Sequence, residues 1–238
     1  MSVGETTGEA TGDGTTADVP VTPASHLDEV RRGYTLLGAH DPDRISTDPA
    51  AKPWDRAVLG VFADLVRADG PDRPGPVADV GCGLGRLTAH LHSLGLDVYG
   101  VDVTPALVER ASREHPHLRF VEGSMLDLDV PDGSLAGVLA FYAIIHLLPE
   151  QLPAALVEFH RALRPGGHVL LAFQVGDEVR VHRDVGGERI ELGFRRWQPA
   201  VVEEELGRAG FSVQASVLRE PDDTETVHQA FILACRSR

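Results

Sequence analysis

The sequence predicts an α/β protein, a parallel sheet with helices on both faces, and three observations carry that prediction. From Pro76 onward, short apolar runs alternate with stretches of helical periodicity. The first run ends in a glycine-rich turn, Gly81-Cys82-Gly83-Leu84-Gly85, that leads straight into a helical pattern. Apolar residues make up 42% of the 238, enough for one sizeable core or two small ones.

The elements follow in order. Residues 1–25 are rich in Thr, Gly and acids, hold no Lys or Arg, and are expected to form a disordered tail, because they cannot bury enough surface to offset ordering entropy. Ser25 can cap a first helix whose opening turn carries Asp28 and Glu29 and whose Leu27, Val30, Tyr34 and Leu37 share a stripe. A Pro- and Asp-rich turn over 41–49 ends it. A second helix is predicted over 53–68, with Val58, Leu59, Phe62, Leu65 and Val66 at helical spacing and Gly70-Pro71 as the stop. Residues 26–75 would then cap the sheet. Next come a strand over 77–80, a helix over 84–94 closed by Gly95, and a strand over 97–101. Thr104-Pro105 starts another helix, and strands are expected over 118–122 and 135–141. A helix over 150–163, the turn Pro165-Gly166-Gly167 and a strand over 168–174 complete the alternation. Segments 179–183 and 189–194 flank Gly186-Gly187 as a β-hairpin, within an insertion over 176–197. A helix over 199–209 and strands over 211–218 and 227–235, joined by an acidic turn, end the chain.

Charge and cysteine content narrow the partners. The chain has 36 acids against 22 bases, a net charge of −14, and four of those acids, Glu5, Glu9, Asp13 and Asp18, lie in the predicted tail. Such a balance opposes phosphate polymers and anionic membranes, so neither nucleic acid nor membrane is expected as a partner. Cys82 and Cys235 lack zinc-site spacing and suit a reducing compartment. The N-terminus shows no basic region followed by an apolar run, and the uncharged stretch 135–149 is too short for a membrane span. A soluble cytoplasmic protein, monomeric or homodimeric, is expected.

The glycine turn marks a ligand site, because glycines permit close backbone approach and the following helix points free N–H groups into the crevice. A dinucleotide fingerprint would need a glycine at position 86, where Arg86 stands. Asp79, two residues before Gly81, would oppose a pyrophosphate but suits a ligand carrying an amino group and a sulfonium. Asp102 ends the second strand, where a carboxylate can accept from two ribose hydroxyls; capping the helix after Thr104 is its rival role.

On these motifs, over roughly residues 26–235, the sequence resembles class I S-adenosylmethionine (SAM)-dependent methyltransferases acting on small molecules. The resemblance implies a single doubly wound, Rossmann-like domain over 26–238. Its sheet would be seven-stranded and mostly parallel with an antiparallel last strand, and N-terminal helices and a hairpin lid would flank it. It also implies SAM as cofactor, S-adenosylhomocysteine as product, and a small-molecule acceptor. Asp79, Gly81, Gly83 and Gly85 would hold the methionine part, Asp102 the ribose, and Val103 the adenine. Glu122-Gly123-Ser124-Met125-Leu126 resembles the family's segment after the third strand, with Ser124 where Asp is usual and Met125 near the adenine or serving as core filler. Phe141 would meet the amino group with its backbone, and Ala140-Phe141-Tyr142-Ala143 departs from the N/D-P-P-Y/F tetrad of enzymes that methylate base amines. Arg86 would pair with the SAM carboxylate or make a surface ion pair. Tyr34 would bring a hydroxyl to the same carboxylate or pack the core.

Methyl transfer from a sulfonium is an in-line displacement, so the protein mainly aligns the reacting atoms. His146, at the end of the fourth-strand wall, is the candidate general base, with a structural histidine as the rival reading, and Tyr142 would position the acceptor. The insertion would form a lid or a plain solvated hairpin, with Gln174, His182, Arg196 and Trp197 as its candidate contacts. No metal site is expected: His90 and His92 face differently on a helix, and His115 and His117 flank Pro116. The function expected is SAM-dependent methylation of an O or N nucleophile on a small acceptor of secondary metabolism. A non-methylation reaction on the same fold, a SAM-binding regulatory module and a nicotinamide enzyme remain the alternatives.

Overall fold

A computed structural model describes residues 23–45, 52–68 and 75–237. The predicted tail up to residue 22, part of the turn after the first helix and Gly70-Pro71 lie outside the described residues. The chain begins with helices α1 (Pro23–His40) and α2 (Pro53–Ala68), then β1 (Val77–Val80), α3 (Arg86–Ser93), β2 (Val98–Asp102), α4 (Pro105–Glu114) and β3 (Arg119–Glu122). It continues through β4 (Leu135–Phe141), α5 (Gln151–Ala162), β5 (Leu163–Gln174), β6 (Val179–Val185), β7 (Glu188–Arg195), α6 (Pro199–Arg208), β8 (Phe211–Arg219) and β9 (Gln229–Arg236).

Seven strands form one sheet in the order β3-β2-β1-β4-β5-β9-β8, with β9 antiparallel to both neighbours and the other pairs parallel. Strands β1, β2 and β4 are buried along their whole length, which is why they read as continuous apolar runs rather than alternating ones. Leu59, Phe62 and Val66 of α2 and Leu87 and Leu91 of α3 pack on one face. The other face carries Leu152, Leu156 and Phe159 of α5 with Val202 and Leu206 of α6. Burying both faces leaves the carboxyl ends of the parallel strands as the place where a crevice can open.

Most boundaries shift by one or two residues, and three differ from the sequence expectation for an identifiable local reason. Helix α1 starts at Pro23, so Ser25 lies inside its first turn instead of capping it, and a tail cannot extend to residue 25. Proline suits that first position, where its missing N–H costs no helical hydrogen bond. Helix α3 starts at Arg86, not residue 84, because Gly83 and Gly85 take φ of 54° and 77°. Strand β5 starts at Leu163: the chain pairs Leu135 with Leu163 and Gly137 with His168, so the Pro165-Gly166-Gly167 turn is absorbed as a bulge.

Strands β6 and β7 form a separate two-stranded sheet turned at Gly186-Gly187, both at positive φ, as a tight hairpin requires. Its Val185, Ile190 and Leu192 pack against Val30 and Leu37 of α1. Gly33 permits this approach, since a Cβ there would lie 2.9 Å from Leu192 Cδ2.

Candidate active site

A cavity of about 760 Å³ opens at the carboxyl ends of β1, β2 and β4. The glycine turn forms its floor. Gly81 and Cys82 donate their N–H groups to the Val101 carbonyl at 2.7 and 3.1 Å, fixing the turn against β2. Gly83 donates to Asp102 Oδ2 at 2.9 Å, and Thr104 donates its backbone N–H to Asp102 Oδ1 at 2.8 Å. Each Asp102 oxygen keeps lone pairs for a ligand, so the capping and ribose readings coexist. Gly83 is open towards the cavity: the nearest atom to an added Cβ is the Ile45 carbonyl oxygen at 3.8 Å.

Eleven predicted site residues surround this space. Gly81, Gly83, Arg86, Asp102 and Val103 line it from the first two strand ends, and Ser124 and Met125 from the loop after β3. Phe141, Tyr142 and His146 follow β4, and Tyr34 comes from α1. The Ser124 hydroxyl accepts from the Leu126 N–H at 3.2 Å, so its segment is braced internally. Tyr142 has φ of 55°, the only positive value for a non-glycine among the described residues. Such strain collects at functional sites.

Asp79 and Gly85 do not line the cavity. The Asp79 carboxylate lies behind the turn and accepts from Thr88 Oγ1 at 2.6 Å, tying β1 to α3. Desolvation pushes its carboxyl up to about 7, the Thr88 hydroxyl pulls it down, and Asp102 adds to the rise. Asp102 is also raised, by burial first, against the lowering pull of the Thr104 and Gly83 N–H groups. Gly85 caps α3 at positive φ, and a Cβ there would come within 2.6 Å of the Phe120 ring. Its place is explained by backbone shape and packing rather than ligand contact.

His146 is arranged as a tie between elements. Its Nδ1 faces the Gly193 carbonyl at 3.0 Å, which can only accept, so Nδ1 carries the proton. Nε2 therefore accepts from the Tyr34 hydroxyl at 2.6 Å, and His26 Nε2 donates to the His146 carbonyl at 2.7 Å. Desolvation lowers His146 to about 4, with the Gly193 carbonyl opposing the fall. On this geometry the nitrogen that would take an acceptor's proton accepts from Tyr34, the arrangement of the rival structural-histidine reading, and the Tyr34 hydroxyl expected near the SAM carboxylate is engaged in the same bond. Tyr34 is itself pushed up, by burial and then by Asp102.

At the far end of the cavity, Tyr142 and Gln174 are joined by residues the sequence reading did not single out. Lys52, Asp55, Gln174, Glu225 and Gln229 line it beside Tyr142. Lys52 is the only lysine in the sequence, and Asp55 sits on the stripe of Leu59, Phe62 and Val66, a carboxylate among apolar residues. That misplaced acid was the available sequence signal. Of the insertion's candidates, Gln174 faces the cavity, whereas Trp197 donates Nε1–H to the Ile144 carbonyl at 3.1 Å and Arg196 pairs with Glu178 at 2.9 Å. His182 instead stacks edge-on against Phe194, the hairpin side chain that does reach the cavity. Among the described residues no cluster of three His, Cys, Asp or Glu could hold a metal ion, and no helix is long and apolar enough to cross a membrane.

The buried carboxylates, the exposed backbone at Gly83 and the lone pairs left on Asp102 fit a cationic ligand that carries a ribose. A family model described as a methyltransferase domain matches residues 77–167. An uncharacterized methyltransferase of Mycobacterium bovis is 33% identical, over 82% of this chain and 67% of its own length. A carboxy-S-adenosyl-L-methionine synthase of Stutzerimonas stutzeri is 27% identical, over 82% of this chain and 91% of its own length. For three other curated relatives the chain spans between 56% and 60% of their length. Among solved structures, the 1,6-didemethyltoxoflavin-N1-methyltransferase of Burkholderia thailandensis, with its substrate and S-adenosylhomocysteine bound, superposes with a TM-score of 0.66 at 23% identity, covering 93% of both chains. The family match falls on the stretch from β1 into β5 that builds the glycine turn, Asp102 and the Tyr142 wall. The chain therefore belongs to the class I SAM-dependent methyltransferases, enzymes whose methyl donor is SAM.

Proposed function

We propose that the protein transfers a methyl group from SAM to an O or N nucleophile of a small organic acceptor in secondary metabolism. The continuity of one cavity from Asp102 to Gln229 supports this reading most strongly. Its volume, about 760 Å³, lies within the range of roughly 300–1,000 Å³ usual for small-molecule sites. It offers space beyond the cofactor end, and a recess of this size suits a small molecule better than a nucleic-acid duplex.

When bound, SAM supplies an electrophilic methyl group on a sulfonium. In this reading the free lone pairs of Asp102 accept the ribose hydroxyls, and the bared backbone of Gly81 and Gly83 lets the methionine part approach. Val103, Ser124 and Met125 flank the adenine, Arg86 meets the carboxylate, and the Phe141 backbone meets the amino group. Asp79 and Gly85 act from behind, the first through Thr88 and its charge, the second by setting the turn. Tyr142, held by its N–H to the Ala172 carbonyl at 2.8 Å, positions the acceptor. Tyr34 and His146 hold α1 and the hairpin over the site, so the hairpin serves as a lid with Phe194 as its inward side chain.

The carboxy-SAM synthase relative, matched over 91% of its length, favours one other reading, a reaction on the same cofactor without methyl transfer. Mass spectrometry separates the two. The purified protein is incubated with SAM and a panel of phenols, amines and nitrogen heterocycles. S-adenosylhomocysteine together with an acceptor heavier by one methylene supports methyl transfer. A changed cofactor without methylated acceptor supports the second reading, and tight SAM binding with neither product leaves a binding module.

A further inference from the structure

Asp55 stands in the first turn of α2 and is 0% exposed, yet it lines the cavity and neither carboxylate oxygen has a hydrogen-bond partner. An acid near a helix N-terminus is favoured by the helix dipole, which explains the position but not burial without donors. Its cationic neighbours are engaged with other carboxylates, and the one buried Arg219 nitrogen without a partner, Nε, does not reach Asp55. Lys52 pairs with Glu225 and, at 3.1 Å, with Asp222. Arg219 pairs with Glu225 at 2.7 Å and more distantly with Asp222 at 3.9 Å. Two cations thus meet three carboxylates, and Asp55 is the one without a bonded partner. Tyr142 faces the same group: its phenol is raised by burial first and then by the charges of Asp55 and Glu225. Burial holds the Asp55 carboxyl up at about 6, although Lys52 and Arg219 pull it down. The cavity walls are partly apolar, with Phe141, Ile145, Leu147 and Phe194 among them.

We propose that Asp55 anchors the methyl acceptor, and that the acceptor carries, apart from its nucleophilic atom, a protonated amine on an apolar body whose N–H donates to the Asp55 carboxylate. This rests on the methyl-acceptor reading of the cavity. An ammonium would supply both the donor and the positive charge that the cluster lacks. A carboxylate ligand would add a fourth negative group beside Asp55, Asp222 and Glu225. A neutral ligand would leave the buried charge uncompensated.

The test uses the full chain saturated with S-adenosylhomocysteine and three probes that share one ring: tyramine, 4-ethylphenol and 3-(4-hydroxyphenyl)propanoate. Calorimetry at pH 7.5 is expected to show tyramine binding at least about tenfold more tightly than the other two, the scale of a hydrogen bond to a charged group. Asp55→Asn abolishes that preference and leaves S-adenosylhomocysteine affinity unchanged. The same variant melts no lower than the parent, since it removes an uncompensated buried charge. Equal or undetectable binding of all three probes overturns the proposal, as does a preference that survives Asp55→Asn. A clear drop in melting temperature also overturns it, by showing Asp55 to be a structural ion-pair member. Failure of the parent protein to bind S-adenosylhomocysteine would instead count against the methyltransferase reading itself.

Discussion

In the proposed reading, Asp102 serves fold and ligand together. Its two oxygens each take one backbone N–H, from Gly83 and Thr104, and in doing so hold the glycine turn and the start of α4 at the cavity edge. Asp102→Ala removes both bonds and the ribose acceptor. Hydrogen bonds to a charged group contribute roughly 1.5–3 kcal/mol, so SAM affinity is expected to fall by about 10- to 100-fold. Asp79→Ala is expected to weaken binding as well, although Asp79 touches no part of the cavity, because its carboxylate holds Thr88 at the head of α3 and contributes negative charge beneath the turn. Calorimetry on both variants checks this. Unchanged affinity in both would remove the cofactor assignment of this end of the cavity.

At the level of elements, α1 and the β6–β7 hairpin meet through Leu37, Ile190 and Leu192 and are joined to the β4 wall by the chain from Tyr34 to His146 to Gly193. Tyr34→Phe keeps the packing and removes one link, leaving Nε2 of a buried imidazole without its donor. Amide exchange is then expected to quicken by about fivefold over 23–40 and 188–195, corresponding to roughly 1 kcal/mol, with β1, β4 and β5 unchanged. Uniform exchange across the chain would show that the link does not hold the hairpin. The elements themselves were legible wherever a local pattern dictates them. Helix α2 and strands β1 and β4 appear with the limits expected from their stripe and apolar runs, and the glycine spacing pointed to the cofactor end. Of the far end, Tyr142, Gln174 and the misplaced Asp55 were legible one by one, but not the cluster, because Lys52 and Glu225 or Asp55 and Tyr142 meet only in the fold and share no local spacing. The two readings of His146 could not be separated in the sequence for the same reason: Gly193 and Tyr34, which meet its two nitrogens, are remote from it along the chain.

Over the whole molecule, the buried charges set opposing pH dependences that the cofactor should reverse. In the folded protein burial pushes Asp79 up to about 7 and Asp55 up to about 6, both from the ordinary aspartate value of 3.8. Each binds a proton in the folded state where the unfolded chain has lost it, so each reduces stability as pH rises from about 4 and exerts its full penalty above pH 7. His146, lowered from 6.5 to about 4, works the other way: stability is lost as pH falls from 6.5 towards 4, where only the unfolded chain takes up the proton. A cation bound above Asp79 and Asp102 favours their ionised forms, so SAM binding is linked to proton release and strengthens as pH rises. S-adenosylhomocysteine keeps the ammonium but lacks the sulfonium, so its linkage is expected to be weaker. The rise in melting temperature caused by saturating SAM is therefore expected to be larger at pH 7.5 than at pH 5.5, and the pH effect smaller for S-adenosylhomocysteine. Asp79→Asn should flatten the SAM dependence. An equal SAM-induced rise at both pH values would mean that Asp79 and Asp102 keep one charge state throughout, and that their burial does not tune the site for a cationic donor.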